Sequence, residues 1–166
     1  MKAAVWHGGK DIRIEDVPRP KIKTDEVLVK VKAVGICGSE LHAYEGVSQR
    51  RTPPLIMGHE FSGEIAEVGK EVSNLKLGER VVVDPLKRCG VCTPCVRGQG
   101  SVCRNVKLLG LHTSGAFAEY IAVPPLNCYV LPDHVTFEEG ATAEPLSVAI
   151  RAVNNTDVKL GDTVVI

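Results

Sequence analysis

No stretch of this chain is both long enough and apolar enough to span a bilayer, which removes a membrane-embedded helix from consideration. There is no excess charge of either sign: 20 basic residues face 20 acidic ones, so nothing draws the chain to nucleic acid or to an anionic surface. The first residues, Met1-Lys2-Ala3-Ala4-Val5-Trp6-His7, lack the apolar core of a signal peptide and read as the start of a strand. The default location is therefore cytoplasmic. Internal repeats and low-complexity segments are missing, and so is any G-x-G-x-x-G turn for a dinucleotide pyrophosphate.

What is present is a chain of 166 residues that is 44% hydrophobic, enough for one compact core or slightly more. Ala3–Trp6, Ile12–Val17, Val27–Val34, Glu64–Gly69, Val81–Val83 and Gly115–Val123 read as short strands separated by glycine and proline. Ser39–His42 reads as a short helical turn. From about residue 137 the composition favours helix, over 137–143 and 146–153, with Pro145 as the break and Asn154-Asn155 as the stop. The last run, Thr163–Ile166, has the look of a first buried strand of another unit. The expected fold class is mainly β with a few helices, barrel-like.

Cys89-x2-Cys92-x2-Cys95-x7-Cys103 is the strongest single motif. Four thiolates at such short spacing suit closed tetrahedral zinc, and Gly90, Gly98 and Gly100 ease the bends of the loop. Two disulfides, four ordinary thiols or an iron–sulfur cluster are the alternatives; a reducing compartment favours metal. Little apolar material lies in this lobe, about residues 88–105, so the metal supplies much of its stability. Cys128 has no partner among these four and reads as a small buried hydrophobe.

A second constellation is spread out: Cys37 between Gly35 and Gly38, then Gly58-His59-Glu60-Phe61-Ser62-Gly63, then Glu144 before Pro145. A thiolate, an imidazole and one or two carboxylates are the donor types of a zinc site with an open position. A lone cysteine or histidine is usually structural, so the weight rests on the company each keeps. Gly35 and Gly38 permit close backbone approach to Cys37. Ser39 and His42 follow within one helical turn and suit a proton relay, although Ser39 also fits a helix N-cap. Glu60 is suited to binding the metal directly or to supporting His59. His7, His112 and His134 read as surface or loop residues.

Taken with Gly78-Glu79-Arg80-Val81 and Ala143-Glu144-Pro145-Leu146-Ser147, these motifs occur in an order that resembles the zinc-dependent medium-chain dehydrogenase/reductase family. The resemblance covers essentially the whole chain. It implies a GroES-like β-barrel catalytic domain with a protruding structural-zinc lobe, over 1–153, and the start of a Rossmann cofactor domain over 154–166. It further implies that Cys37, His59 and Glu60 surround a catalytic zinc, with Glu144 as a further ligand or supporting group. Cys89, Cys92, Cys95 and Cys103 would hold the structural zinc, and Ser39 and His42 match the family's relay. Glu40 stands where aspartate is more usual and reads as a tolerated change. Gly38 replaces the basic residue, and Glu144 the cysteine, of ethanol-type enzymes; both departures resemble the polyol (sorbitol-type) and threonine dehydrogenase branch.

The implied activity is oxidation of a polyol or secondary alcohol to a ketone with NAD or NADP. The partner implied is a small-molecule alcohol or polyol, with no nucleic acid and no membrane; a homo-oligomer stays open. Without a cofactor domain the 166 residues are expected to bind zinc and turn nothing over. The competing reading is a zinc-stabilised barrel that serves as a non-catalytic binding or assembly module.

Overall fold

The computed structural model describes residues 1–48 and 50–165. Its central sheet has five antiparallel strands in the order β10-β6-β5-β3-β9. These are β3 (Val27–Val34), β5 (Phe61–Val68), β6 (Arg80–Val83), β9 (Tyr120–Val123) and β10 (Cys128–Val130). A second sheet runs β2-β1-β4, from β2 (Asp11–Asp16), β1 (Lys2–Gly8) and β4 (Leu55–Ile56). The segment 115–119 joins the two. Ala4 N–H donates to Phe117 O, Glu119 N–H to Lys2 O, and Ala3 bridges Ala118. A barrel-like wall results.

Two sequence patterns behave differently from their surface reading. The alternation in β3 predicts a half-buried strand, yet Val27, Leu28 and Val29 are all fully buried. The short helix α3 (Phe137–Ala141) packs across β3, β5 and β6 over Ser62, whose hydroxyl donates to Phe137 O. The imperfect period of β5 has a geometric cause: pairing with β3 jumps from Leu28↔Glu67 to Val29↔Ile65. Ala66 is the extra residue of a bulge, and the resulting change of phase lets both Ile65 and Val68 reach the core.

That core comprises Val27, Val29, Phe61, Ile65, Leu75, Val81, Val83, Leu109 and their neighbours. Cys128 packs against it, and burial pushes its thiol up to about 12, as befits a small hydrophobe. A smaller cluster of Trp6, Ala43 and Met57 fastens helix α1 (Gly38–Tyr44) to β1. Burying a methionine of this kind contributes about 1.5–3 kcal/mol.

Three expectations are corrected. Gly115–Val123 is not one strand: only Tyr120–Val123 is, because Gly115, Ala116 and Phe117 donate their N–H groups to Ile56, Gly58 and Met57 instead. Pro145 breaks no helix. The break lies at Thr142, and α4 (Ala143–Asn154) carries Pro145 in its first turn, where a missing N–H costs no intrahelical bond. Thr163–Val165 forms no strand and lies exposed; Ile166 falls outside the described residues. Among the described residues no helix is long and apolar enough to cross a membrane.

Candidate active site and metal centre

The lobe rises from a two-stranded base, β7 (Leu86–Lys87) paired with β8 (Lys107–Leu108), and contains the one-turn helix α2 (Thr93–Val96). Asn127, a buried residue with no signal in the sequence, pins that base by donating to Asp84 O and Leu86 O. Val91, Val96 and Val102 all point to solvent, so the lobe has no apolar centre of its own. Its interior is sulfur. Cys103 Sγ lies 3.5 Å from Cys89 Sγ and 3.8 Å from Cys92 Sγ, and the four sulfurs lie within 4.8 Å of one another. Four thiolates about 2.3 Å from a tetrahedral ion would stand about 3.8 Å apart. The donor set therefore fits zinc.

Backbone groups prepare the sulfurs. Cys89 and Asn105 direct their N–H groups at Cys103 Sγ, each at 3.4 Å. N–H groups of Val91 and Cys92, with the thiol of Cys103, hold the Cys89 thiol down at about 6. Cys92 is lowered too, by backbone N–H groups of Cys95 and Arg104. Cys95 is pushed up to about 12, first by burial and then by the neighbouring sulfurs.

The second constellation is assembled by one strand pairing. β3 and β5 run antiparallel with Val34 opposite Phe61, and the ladder continues outward as Gly35 N–H donates to Glu60 O at 2.7 Å. The exit of β3 thus meets the entry to β5: Gly35 lies against Glu60, and Cys37 comes beside His59. At Gly35 a Cβ would meet Glu60 Oε2, so any side chain there displaces the Glu60 carboxylate. Gly38 has no such role and faces open space. Gly58, at φ +91°, turns the chain into His59 with Phe117 packed against it. From the far end of the chain, α4 brings Glu144 in its first turn, where the helix dipole favours a carboxylate.

These side chains form two overlapping donor groups that share His59. Cys37, Glu40 and His59 form one; His59, Glu60 and Glu144 form the other; within each the donor atoms lie within 4.8 Å. Each group has donor types that zinc accepts: a thiolate, a carboxylate and an imidazole in the first, an imidazole and two carboxylates in the second. His59 Nδ1 lies 2.7 Å from Glu40 Oε1. A carboxylate only accepts, so Nδ1 carries the proton and Nε2 is left for a metal. Burial pulls the His59 pKa down, but the hydrogen bond and charge of Glu40, aided by Glu144 and Glu60, outweigh it and hold it above its ordinary value. Burial also raises Glu144, against His59 and together with Glu60, Asp84 and Glu40.

Ser39 is not the cap of α1; Cys37 is, and Ser39 Oγ instead accepts from Arg51 at 3.1 Å. His42 stands exposed one turn on, and among the described residues no hydrogen bond joins it to Ser39. Sequence reasoning gives no role to two participants, Glu40 and Arg51, both buried and paired at 2.9 Å. A cavity of about 530 Å³ opens beside Glu144, between Ser147 and Arg151 of α4 and Val83, Pro85 and Tyr129 of the barrel.

Residues 23–133 match the family described as the alcohol dehydrogenase GroES-like domain. Sorbitol dehydrogenase of Bacillus subtilis strain 168 is 43% identical, over 100% of this chain and 48% of its own length. (R,R)-butanediol dehydrogenase of the same organism is 42% identical, over 98% of this chain and 49% of its own. An alcohol dehydrogenase of Escherichia coli CFT073, solved in complex with NADH, superposes with a TM-score of 0.89 at 37% identity, over 98% of this chain and 48% of its own. The chain thus spans about half the length of the curated relatives it matches. By its fold, its paired metal-donor sets and these likenesses, the chain belongs to the zinc-type medium-chain dehydrogenase/reductases, carrying their alcohol dehydrogenase GroES-like domain.

Proposed function

We propose that these residues are the catalytic domain of an oxidoreductase that converts a polyol or other secondary alcohol to a ketone, with NAD or NADP as hydride acceptor in the whole protein. The observation that carries this is the buried His59, held by Glu40 on one nitrogen and flanked by Cys37, Glu60 and Glu144. A scaffold has no use for such an open donor set. A zinc ion held there would supply Lewis acidity toward an alcohol or carbonyl oxygen. Cys37, His59 and Glu60 are its proposed ligands, and Glu144 a further ligand or support. Cys89, Cys92, Cys95 and Cys103 hold a structural zinc.

The protein's own groups handle the proton. Ser39 Oγ accepts from Arg51 and keeps its own hydrogen to donate, so it is set to exchange a proton with a substrate hydroxyl. His42, exposed on the same helix, passes it to solvent. Relatives named for sorbitol and (R,R)-butanediol support a polyol-type substrate. Residues 1–153 are the catalytic unit and 154–166 the beginning of the cofactor unit. On this reading the 166 residues bind two zinc ions. The protein works in the cytoplasm, where a reducing medium keeps the thiols of Cys37, Cys89, Cys92, Cys95 and Cys103 available to metal.

Zinc per chain, measured by elemental analysis without added metal, tests the proposal. About two per chain, falling to one for Cys37→Ser and for His59→Ala, is the expected result. About one, unchanged by Cys37→Ser and abolished by Cys92→Ser, would leave only a zinc-stabilised binding module.

A further inference from the structure

Arg51 is buried in a loop between α1 and β4, its side chain only 2% exposed. A cation taken out of water is costly unless its donors are matched. Arg51 meets that condition with one planar fork. Nε donates to Gly110 O at 2.9 Å and Nη1 to Ser39 O at 2.8 Å. Nη2 donates to Ser39 Oγ at 3.1 Å and to Glu40 Oε1 at 2.9 Å. A lysine cannot reproduce four directed bonds from one rigid plane.

The partners matter more than the count. Glu40 Oε1, the oxygen that takes Arg51, is the oxygen that faces His59 Nδ1 at 2.7 Å. Its other oxygen, Oε2, accepts the N–H of Cys37 at 2.9 Å. One carboxylate therefore spans the backbone of the proposed thiolate ligand and the ring of the proposed imidazole ligand. Arg51 neutralises that carboxylate and fixes its plane. Since an arginine never accepts, Ser39 Oγ must act as acceptor toward it, which leaves the serine proton pointing to another partner.

We propose that Arg51 is the positioning residue of this site: its buried fork holds Glu40 against His59 and Cys37, and sets the direction in which the Ser39 hydroxyl donates. The inference rests on the reading of Cys37 and His59 as metal ligands, and deepens it. Arg51 touches no substrate. It acts through Glu40 and Ser39, and the loop that carries it thereby couples the Gly110 turn to both metal ligands.

The test uses Arg51→Met and Arg51→Lys in the same 166-residue chain, with zinc affinity read by chelator competition and the His59 Nδ1–H proton read by NMR. Supporting groups behind metal ligands change affinity about 10–100-fold. Arg51→Met is expected to weaken the site containing Cys37 by that factor, to leave the lobe zinc unchanged, and to shift or broaden the Nδ1–H signal. Arg51→Lys is expected to recover only part of the loss. A purely structural role would lower the melting temperature without moving the imidazole signal or discriminating between the two metals. A folded Arg51→Met chain with wild-type affinity at both sites and an unmoved signal would overturn the proposal. If Arg51→Met fails to fold, Arg51→Lys decides on the same readouts: affinity reduced at one site supports, unchanged affinity refutes. Should the wild-type chain bind only the lobe zinc, the metal reading fails, yet the Nδ1–H signal in the metal-free chain still reports whether Arg51 holds the pair.

Discussion

Glu40 does its work against the ring of His59, and it does not announce itself by type. Glu40 reads in the sequence as a variant of a more usual aspartate. Only the fold reveals that its carboxylate is 2% exposed and shared among Cys37, Arg51 and His59. Cys37, His59, Glu60 and Glu144 were legible because their donor chemistry is distinctive. Arg51 was not, because an arginine beside two prolines looks like any solvated loop cation; its burial depends on long-range packing against the Gly110 turn. Gly35→Ala should push Glu60 aside and weaken the second metal site about 10-fold while sparing the lobe, which chelator competition would measure. The lobe thiols make a sharper forecast. In chelated protein alkylated between pH 6 and 8, Cys89 should react first, because its thiol, held at about 6, is already mostly thiolate there. Cys95, pushed up to about 12, should react last. Equal labelling of all four by mass spectrometry would mean that the loop does not keep this shape without its ion.

At the scale of elements, the strands were readable from alternation and punctuation, but their burial was not. Val27-Leu28-Val29 reads as half-exposed by alternation, yet all three residues are fully buried. The bulge at Ala66 blurs the period of β5 for a reason no single strand contains: it is a property of the pairing with β3. Pro145 was misread because a proline looks like a breaker wherever it falls, whereas in a first turn it is a fitting residue. The anchoring of α1 also lives at this scale. Met57→Ala should cost about 2–5 kcal/mol, since it opens a hole between Trp6 and Ala43 directly before the Gly58–His59 turn. Urea unfolding would register it as a lower midpoint at unchanged slope.

For the whole molecule, the open question is what covers α4 and the residues beyond it. Leu146, Val148, Ile150 and Val153 are all more than half-exposed or nearly so, and Val165 is 93% exposed. Such a surface favours association. Sedimentation velocity should show a concentration-dependent shift above the monomer, weakened when Val148 and Ile150 are both replaced by polar residues. A single species at all concentrations would show that these side chains are tolerated by water.

The two metal-donor sets also differ in how much chain each must gather. The lobe closes within residues 89–103, a loop of modest entropy that a nascent segment can fold around an ion by itself. The His59 set needs Cys37, the start of β5 and the first turn of α4 in one place, so it exists only once residues 37–144 have docked. On the proposal that both sets bind zinc, the sulfur set can therefore take its ion before the barrel has formed. The His59 set, on the same proposal, can take one only when the barrel is assembled, and its occupancy would record that assembly.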